Sequence, residues 1–203
     1  MPAWRDPCVR GSGFTLSRAA VTVRAMILVV AATKAELAAL RHADVFACGV
    51  GPVDAAAATA RALAELRPDV LLHVGIAGAR GVAPVELVIG SEAVYEDAAG
   101  GSWVLARVVP DARLVEAARR ALPEAHVQPI GTSARVGGAS GCQVEAMEGF
   151  AVLRAAELAE VPAVEVRAVS NEIDEPDRAR WRVDDAVAAL AEAVPRLLAE
   201  LHR

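Results

Sequence analysis

Aromatic side chains are nearly missing from this chain, with three Phe, three Trp and one Tyr in 203 residues. Since 55% of the residues are nevertheless apolar, the interior has to be built from Ala, Val and Leu. Also missing is any run of about 18 uncharged apolar residues, so a mean hydropathy of +0.36 reflects core and excludes a transmembrane helix. Basic charge is scarce as well. A net charge of −5 and a pI near 5.4, with no basic run, remove the electrostatic footprint of a nucleic-acid-binding protein. Cys8, Cys48 and Cys142 are odd in number and far apart, the pattern of thiols in a reducing, cytoplasmic setting. His42, His73, His126 and His202 have no ligand spacing with one another or with the cysteines, so neither a metal nor another cofactor is expected. No Gly-x-Ser-x-Gly surrounds a serine, and Gly49-Val50-Gly51-Pro52 lacks the Lys-Ser/Thr of a nucleotide-phosphate loop.

What is present is a regular alternation of short strands and helices. Residues 1–25 carry four Arg against one Asp and have no continuous apolar segment, so they read as a disordered extension or an early start, with a single domain over 26–203. MILVVAA (26–32) has the continuous apolar run of a parallel strand covered on both faces. Thr33-Lys34-Ala35-Glu36 has the spacing of a capping box opening a short helix. DVFAC (44–48) is a second strand, and Pro52 opens an Ala-rich helix that Arg67-Pro68 stops at 66. DVLLHV (69–74) is a third strand, after which Gly75-Ile76-Ala77-Gly78 reads as a tight turn or as a set of exposed backbone N–H groups. Strands are expected at 86–90, 92–95 and 102–109, and a helix at 111–121. HVQPI (126–130) is a weaker strand because of Pro129, and Gly137–Gly141 is a loop. A last helix, 183–202, should be kinked or split by Pro195. The pattern predicts a three-layer α/β/α fold around a mostly parallel, mixed central sheet.

The stretch Val144–Asp174 concentrates the candidate chemistry: a helix with Glu148 in its first turn, a stop at Pro162, and a strand ending at Ser170-Asn171. Polar strand ends of this kind build ligand sites in layered α/β proteins. Each residue also has a plain structural reading. Glu36 caps its helix, and Met147, Ala151, Ala155 and Leu158 form a core stripe. Glu148 favours a helix N-terminus, Glu165 and Arg167 share a strand face and pair with each other, and Asn171 is a turn residue.

Together these positions resemble the purine and uridine phosphorylase superfamily, in particular its hydrolytic nucleosidase branch. The resemblance is carried in chain order by AATKAEL (31–37), GVGPVDAAAA (49–58), HVGIAGA (73–79), SEAVYEDA (91–98), VEAMEGFA (144–151) and VRAVSN (166–171). Within the superfamily, MEGFA, RAVSNEID and the Asp177…Trp181-Arg182-Val183 segment look most like the futalosine hydrolases, which split a hypoxanthine nucleoside in menaquinone biosynthesis. The resemblance implies catalytic roles for Glu36, which activates water, and Asn171, which reads the base. It implies substrate contacts from Ala77, Gly78, Arg135, Val136, Met147, Glu148 and Ser170, with Glu148 gripping the ribose hydroxyls. Arg135 falls where relatives carry a base-stacking aromatic, and could stack its guanidinium or meet a substrate carboxylate. Asn171 suits a 6-oxopurine, where adenine-releasing relatives carry Asp. Hydrolysis is implied over phosphorolysis because the phosphate-binding Arg positions read Leu71-Leu72-His73 here. The implied partners are a nucleoside, water and other copies of the chain, as a homodimer or higher homo-oligomer. Two alternatives stay open: a methylthioadenosine/S-adenosylhomocysteine nucleosidase, or a catalytically idle nucleoside-binding member.

Overall fold

The computed structural model describes residues 25–40, 42, 44–98, 100–137 and 141–203. The extension expected over 1–25 therefore falls almost wholly outside the described residues, as do positions 138–140 of the expected loop. In chain order the elements are β1 (Ile27–Ala31), α1 (Lys34–Ala38), β2 (Val45–Ala47), α2 (Pro52–Leu66), β3 (Val70–Ala79) and β4 (Leu87–Tyr95). There follow β5 (Arg107–Val108), α3 (Ala112–Ala121), β6 (His126–Thr132), β7 (Val144–Ala146), α4 (Gly149–Leu158), β8 (Ala163–Glu172) and α5 (Val183–Leu201). All eight strands belong to one sheet, in the order β2-β1-β3-β7-β6-β4-β5, with β8 pairing both β3 and β4. The β1–β2, β1–β3, β3–β8, β4–β6 and β6–β7 ladders are parallel, and β3–β7, β4–β5 and β4–β8 are antiparallel.

Strand alternation divides the core into layers. Ile27, Val29 and Ala31 of β1 pack with Leu37, Leu40, Leu114, Leu190 and Leu197, so α1, α3 and α5 cover one face. Leu28 and Val30 face Ala55, Leu63, Val152 and Ala156, so α2 and α4 cover the other. Small Ala faces let these helices lie close to the sheet, which is how a core short of aromatics is filled. A third cluster, including Ala77, Val88, Ile130, Val144 and Val169, lies where β3, β8, β4, β6 and β7 pair in a closed circuit. Among the described residues, no helix is long and apolar enough to cross a membrane.

Several local expectations need correction. Gly75–Gly78 is not a turn: β3 runs through it to Ala79, with a register shift between Ala77 and Gly78. The expected strand at 102–109 shrinks to Arg107–Val108 after a short 3-10 turn at Gly101–Trp103. In that segment Val108 alone is buried, and Trp103 is 95% exposed, so no core face holds the rest in a ladder. Segments 86–90 and 92–95 are one strand, irregular between Gly90 and Ala93. Pro129 fits inside β6 because its missing N–H falls opposite that irregularity and before pairing with β7 begins at Ile130. Pro195 does not split α5, which continues from Val183 to Leu201. Its ring is exposed, so the carbonyl it leaves without a donor lies on the solvent side.

Candidate active site

The helix that presents Glu36 is built by its own cap. Thr33 Oγ1 accepts from Glu36 N at 3.3 Å, while Glu36 Oε2 accepts from Thr33 N at 2.9 Å and from the Thr33 hydroxyl at 2.8 Å. The capping reading is therefore right, and it is compatible with a functional one. Glu36 Oε1 accepts from Ile76 N at 3.3 Å across to β3, and the side chain lines a cavity of about 390 Å³.

Glu148 reaches the same cavity from α4, but not from its first turn. It is the N-cap residue, and its side chain makes no capping bond. Instead Oε1 accepts from Gly51 N at 3.1 Å, and Oε2 lies 3.5 Å from Arg167 Nη1. The expected core stripe also fails at both ends. Met147 precedes the helix and lines the cavity, and Leu158 is 68% exposed because α4 buries Ala151, Val152, Leu153, Ala155 and Ala156.

Behind these carboxylates lies a buried ionic cluster. Arg167 is 1% exposed, with Nε donating to Glu165 Oε1 at 2.7 Å and Nη2 3.2 Å from His73 Nε2. Burial works against the guanidinium charge, but Glu165 and Glu148 outweigh it and raise the pKa. Burial likewise pushes the Glu165 carboxyl up, partly opposed by Arg167. His73 is driven well below its ordinary value, first by burial and then by Arg167, so its 3.7 Å approach to Glu165 joins a neutral imidazole and not an ion pair. Two glycines make the cluster fit. A Cβ on Gly75 would collide with Arg167 Nη1 and stand 3.1 Å from Glu36 Oε1, and one on Gly149 would collide with the Glu165 carboxylate. Burial, then Glu148, pushes the nearby Cys48 thiol up to about 12, which leaves it unreactive at neutral pH.

The far end of the cavity is set by β8. Asn171 is 7% exposed, and its Nδ2 donates to the Glu172 carbonyl at 2.8 Å. The Ser170 hydroxyl lies 2.7 Å from Asn171 Oδ1 and 3.2 Å from the Ala77 carbonyl, and its single hydrogen serves one at a time. The structure brings Ala77, Gly78, Val136, Met147, Ser170 and Asn171 together with Glu36 and Glu148 around one cavity. Arg135 does not. Its exposed guanidinium is turned to Asp97, 3.6 Å away, so the structure gives no base stacking by this residue. Sequence reasoning missed Glu145, Trp181 and Asp184 as lining residues, and it read Arg167 as no more than a partner for Glu165. Among the described residues lining the cavity, Arg167 is the single cation, against the carboxylates of Glu36, Glu145, Glu148 and Asp184.

The family model described as the phosphorylase superfamily matches residues 41–203. The chain belongs to the phosphorylase superfamily. Among members of it, the chain is similar to a futalosine hydrolase of Streptomyces coelicolor, 37% identical over 186 residues that cover 76% of this chain and 77% of that one. A futalosine hydrolase of Thermus thermophilus is 48% identical over 60 residues, 30% of this chain and 27% of that one. Solved structures share the superfamily fold. A 5′-methylthioadenosine/S-adenosylhomocysteine nucleosidase from Helicobacter pylori superposes with a TM-score of 0.80 at 13% identity, covering 88% of this chain and 99% of that one. One from Colwellia psychrerythraea, in complex with adenine, gives 0.78 at 18% identity, covering 88% and 96%.

Proposed function

We propose that this chain hydrolyses the N-glycosidic bond of futalosine, releasing hypoxanthine and dehypoxanthinyl futalosine for menaquinone biosynthesis. The observation that carries the reading is the convergence of Glu36, Glu148 and Asn171 on one cavity, in a chain similar to futalosine hydrolases along most of its length. The sugar sits over Glu148, whose carboxylate accepts from the ribose hydroxyls and is steadied by Gly51 N–H and Arg167. As the bond from C1′ to the base N9 breaks, positive charge grows on the sugar and the surrounding carboxylates stabilise it. Glu36 holds the attacking water and takes its proton while the water oxygen bonds to C1′. The departing base is received by Asn171, whose amide donates to O6 and accepts from a protonated N7. An amide has no acidic proton of its own, so the N7 proton arrives through water.

The charge of the cavity supports water over phosphate as the nucleophile. Four carboxylates line it, and its cation is already held by Glu165 and Glu148, which leaves no unengaged positive group among the described lining residues for a phosphate dianion. Arg135 stays in the proposal as a rim residue, one position before the cavity-lining Val136. An exposed ion pair such as Arg135–Asp97 is worth at most about 1 kcal/mol, so the guanidinium can swing to a substrate carboxylate at little cost. We place the enzyme in the cytoplasm, as a homodimer or higher homo-oligomer, residues 26–203 forming its single domain. Trp103, Val104, Leu105 and Val109 are exposed apolar side chains close in sequence, which suits self-association.

The test is incubation with futalosine, inosine and methylthioadenosine, with and without phosphate. Hypoxanthine release from futalosine without phosphate is the expected result. Turnover that required phosphate would sink hydrolysis, adenine release alone would favour a methylthioadenosine nucleosidase, and no turnover would favour an idle binding member.

A further inference from the structure

Glu145 lies in the cavity with one oxygen unclaimed. The residue is 7% exposed, and its Oε1 accepts from Gly137 N at 2.9 Å, while Oε2 is buried and meets no hydrogen-bond partner. A buried carboxylate oxygen left unsatisfied is costly unless something else completes it. The fold fixes where this one sits. On β3, Gly78 is paired with Glu145 of β7 on one side and with Asn171 of β8 on the other. Residues directly opposed across a sheet project to the same face, so a carboxylate and an amide flank a position with no side chain. A Cβ on Gly78 would stand 3.1 Å from Asn171 Nδ2 and 3.2 Å from Ile173 Cγ1, so the glycine lets these two side chains close over β3, and all three line the slot of the cavity that Glu145 also borders. Gly137, with φ +83°, holds a conformation that L side chains rarely adopt, and its N–H anchors the outer edge of the carboxylate.

The slot has the polarity of a purine edge of one kind. A 6-oxopurine presents N1–H as a donor, O6 as an acceptor and N7, in that order. A 6-aminopurine presents N1 as an acceptor beside an amino donor. We propose that Glu145 is the residue that distinguishes them, its unclaimed Oε2 accepting N1–H while Asn171 holds O6 and N7. Against adenine the same oxygen meets the N1 lone pair, and two acceptors face each other in a buried site. Glu145 is thus a specificity residue on the opposite side of the base from Asn171. The inference rests on the nucleosidase reading for its base-binding end.

Two measurements with the full chain test it. Calorimetric binding of free hypoxanthine and free adenine is compared between the wild type and Glu145→Gln, an isosteric change whose amide can either donate to or accept from N1. Hypoxanthine affinity is expected to drop about 10- to 100-fold and the preference over adenine to narrow by a similar factor, the usual scale for a hydrogen bond to a charged group. In case the variant does not fold, the wild type is titrated with 1-methylhypoxanthine, which keeps O6 and N7 but has no N1–H, and binding should weaken at least about 10-fold on the same scale. An unchanged hypoxanthine-to-adenine ratio, or equal binding of the methylated base, overturns the assignment. Futalosine turnover by the wild type is measured alongside. If it proceeds while both binding tests fail, Glu145 loses its role alone. If it does not proceed while hypoxanthine binding depends on Glu145, the futalosine reading falls and the 6-oxopurine contact stands.

Discussion

Replacing Asn171 by Asp exchanges a group that donates and accepts for one that, when ionised, only accepts. Asn171 is buried, and the new carboxylate would keep the bond from the Ser170 hydroxyl but lose both its donor to the Glu172 carbonyl and its donor to O6. A mismatched buried polar contact costs about 1–3 kcal/mol. Asn171→Asp should therefore shift the kcat/KM ratio of hypoxanthine to adenine nucleosides toward adenine by about tenfold or more. An unmoved ratio would remove Asn171 from base selection. Glu36 offers a cleaner separation of its two duties. Glu36→Gln keeps an oxygen for the Thr33 N–H but has no basic carboxylate and sets its amide NH2 against the Ile76 N–H, so kcat should fall by about 10²- to 10⁴-fold while the lost acceptor costs about 1–3 kcal/mol of stability. Thr33→Ala removes the cap itself and should cost about 1 kcal/mol of stability in denaturant titration. These residues were legible in the sequence because each stands at a strand end or helix start with a characteristic neighbour. Glu145 was not, since nothing in Val144-Glu145-Ala146 says that β7 will be laid against Gly78.

Among the elements, β3 shows best how local signals mislead. Glycines inside a strand ordinarily mark a break, and Gly75-Ile76-Ala77-Gly78 in isolation reads as a tight turn or as a set of exposed backbone N–H groups after the strand. They are strand residues here because Arg167 and Glu36 pass over Gly75 and Asn171 and Ile173 close over Gly78, requirements set by β8, its following loop and α1 and invisible in β3 alone. Gly75→Ala should accordingly displace the guanidinium from its carboxylate partners. A loss of more than about 2 kcal/mol in unfolding free energy is expected, the scale of breaking a buried charged network. A variant as stable as the wild type would mean that the crossing is loose. Helix α2 is the opposite case: Pro52 at its first position and Arg67-Pro68 at its end are local signals, and the helix runs from Pro52 to Leu66 as read. Pro195 lies between. Its helix-breaking tendency is real but is outweighed by the packing of Leu190, Ala193, Val194 and Leu197 on both sides of it. Pro195→Ala should raise stability, by up to about 3 kcal/mol on the propensity scale, without moving kcat.

At the scale of the whole molecule, the layer order followed from alternating strands and helices, but the closed β3-β8-β4-β6-β7 circuit did not, because pairings between distant segments leave no mark in either segment. His73 and Glu165, on β3 and β8 of that circuit, are fully buried titratable groups whose protonation changes on unfolding, so they enter global stability. His73 refuses a proton in the fold, through burial and then Arg167. Below the ordinary value of 6.5 the unfolded chain accepts that proton, so the unfolded state binds more protons and stability falls as the pH drops. Glu165 acts in the other direction. Burial raises its carboxyl above the ordinary 4.5, so the stability it contributes at low pH is lost as the pH rises through its folded value. The two partly cancel in the wild type, and His73→Gln separates them by removing one. The unfolding free energy of the wild type relative to this variant should therefore decline from pH 7 to pH 5, with a slope approaching but not exceeding about 1.4 kcal/mol per pH unit for a single proton. Denaturant titrations of both proteins at pH 5, 6 and 7 measure it. A difference that stays constant across this window would mean that His73 titrates in the fold as it does in the unfolded chain, the Glu165 and Glu148 carboxylates offsetting burial and Arg167.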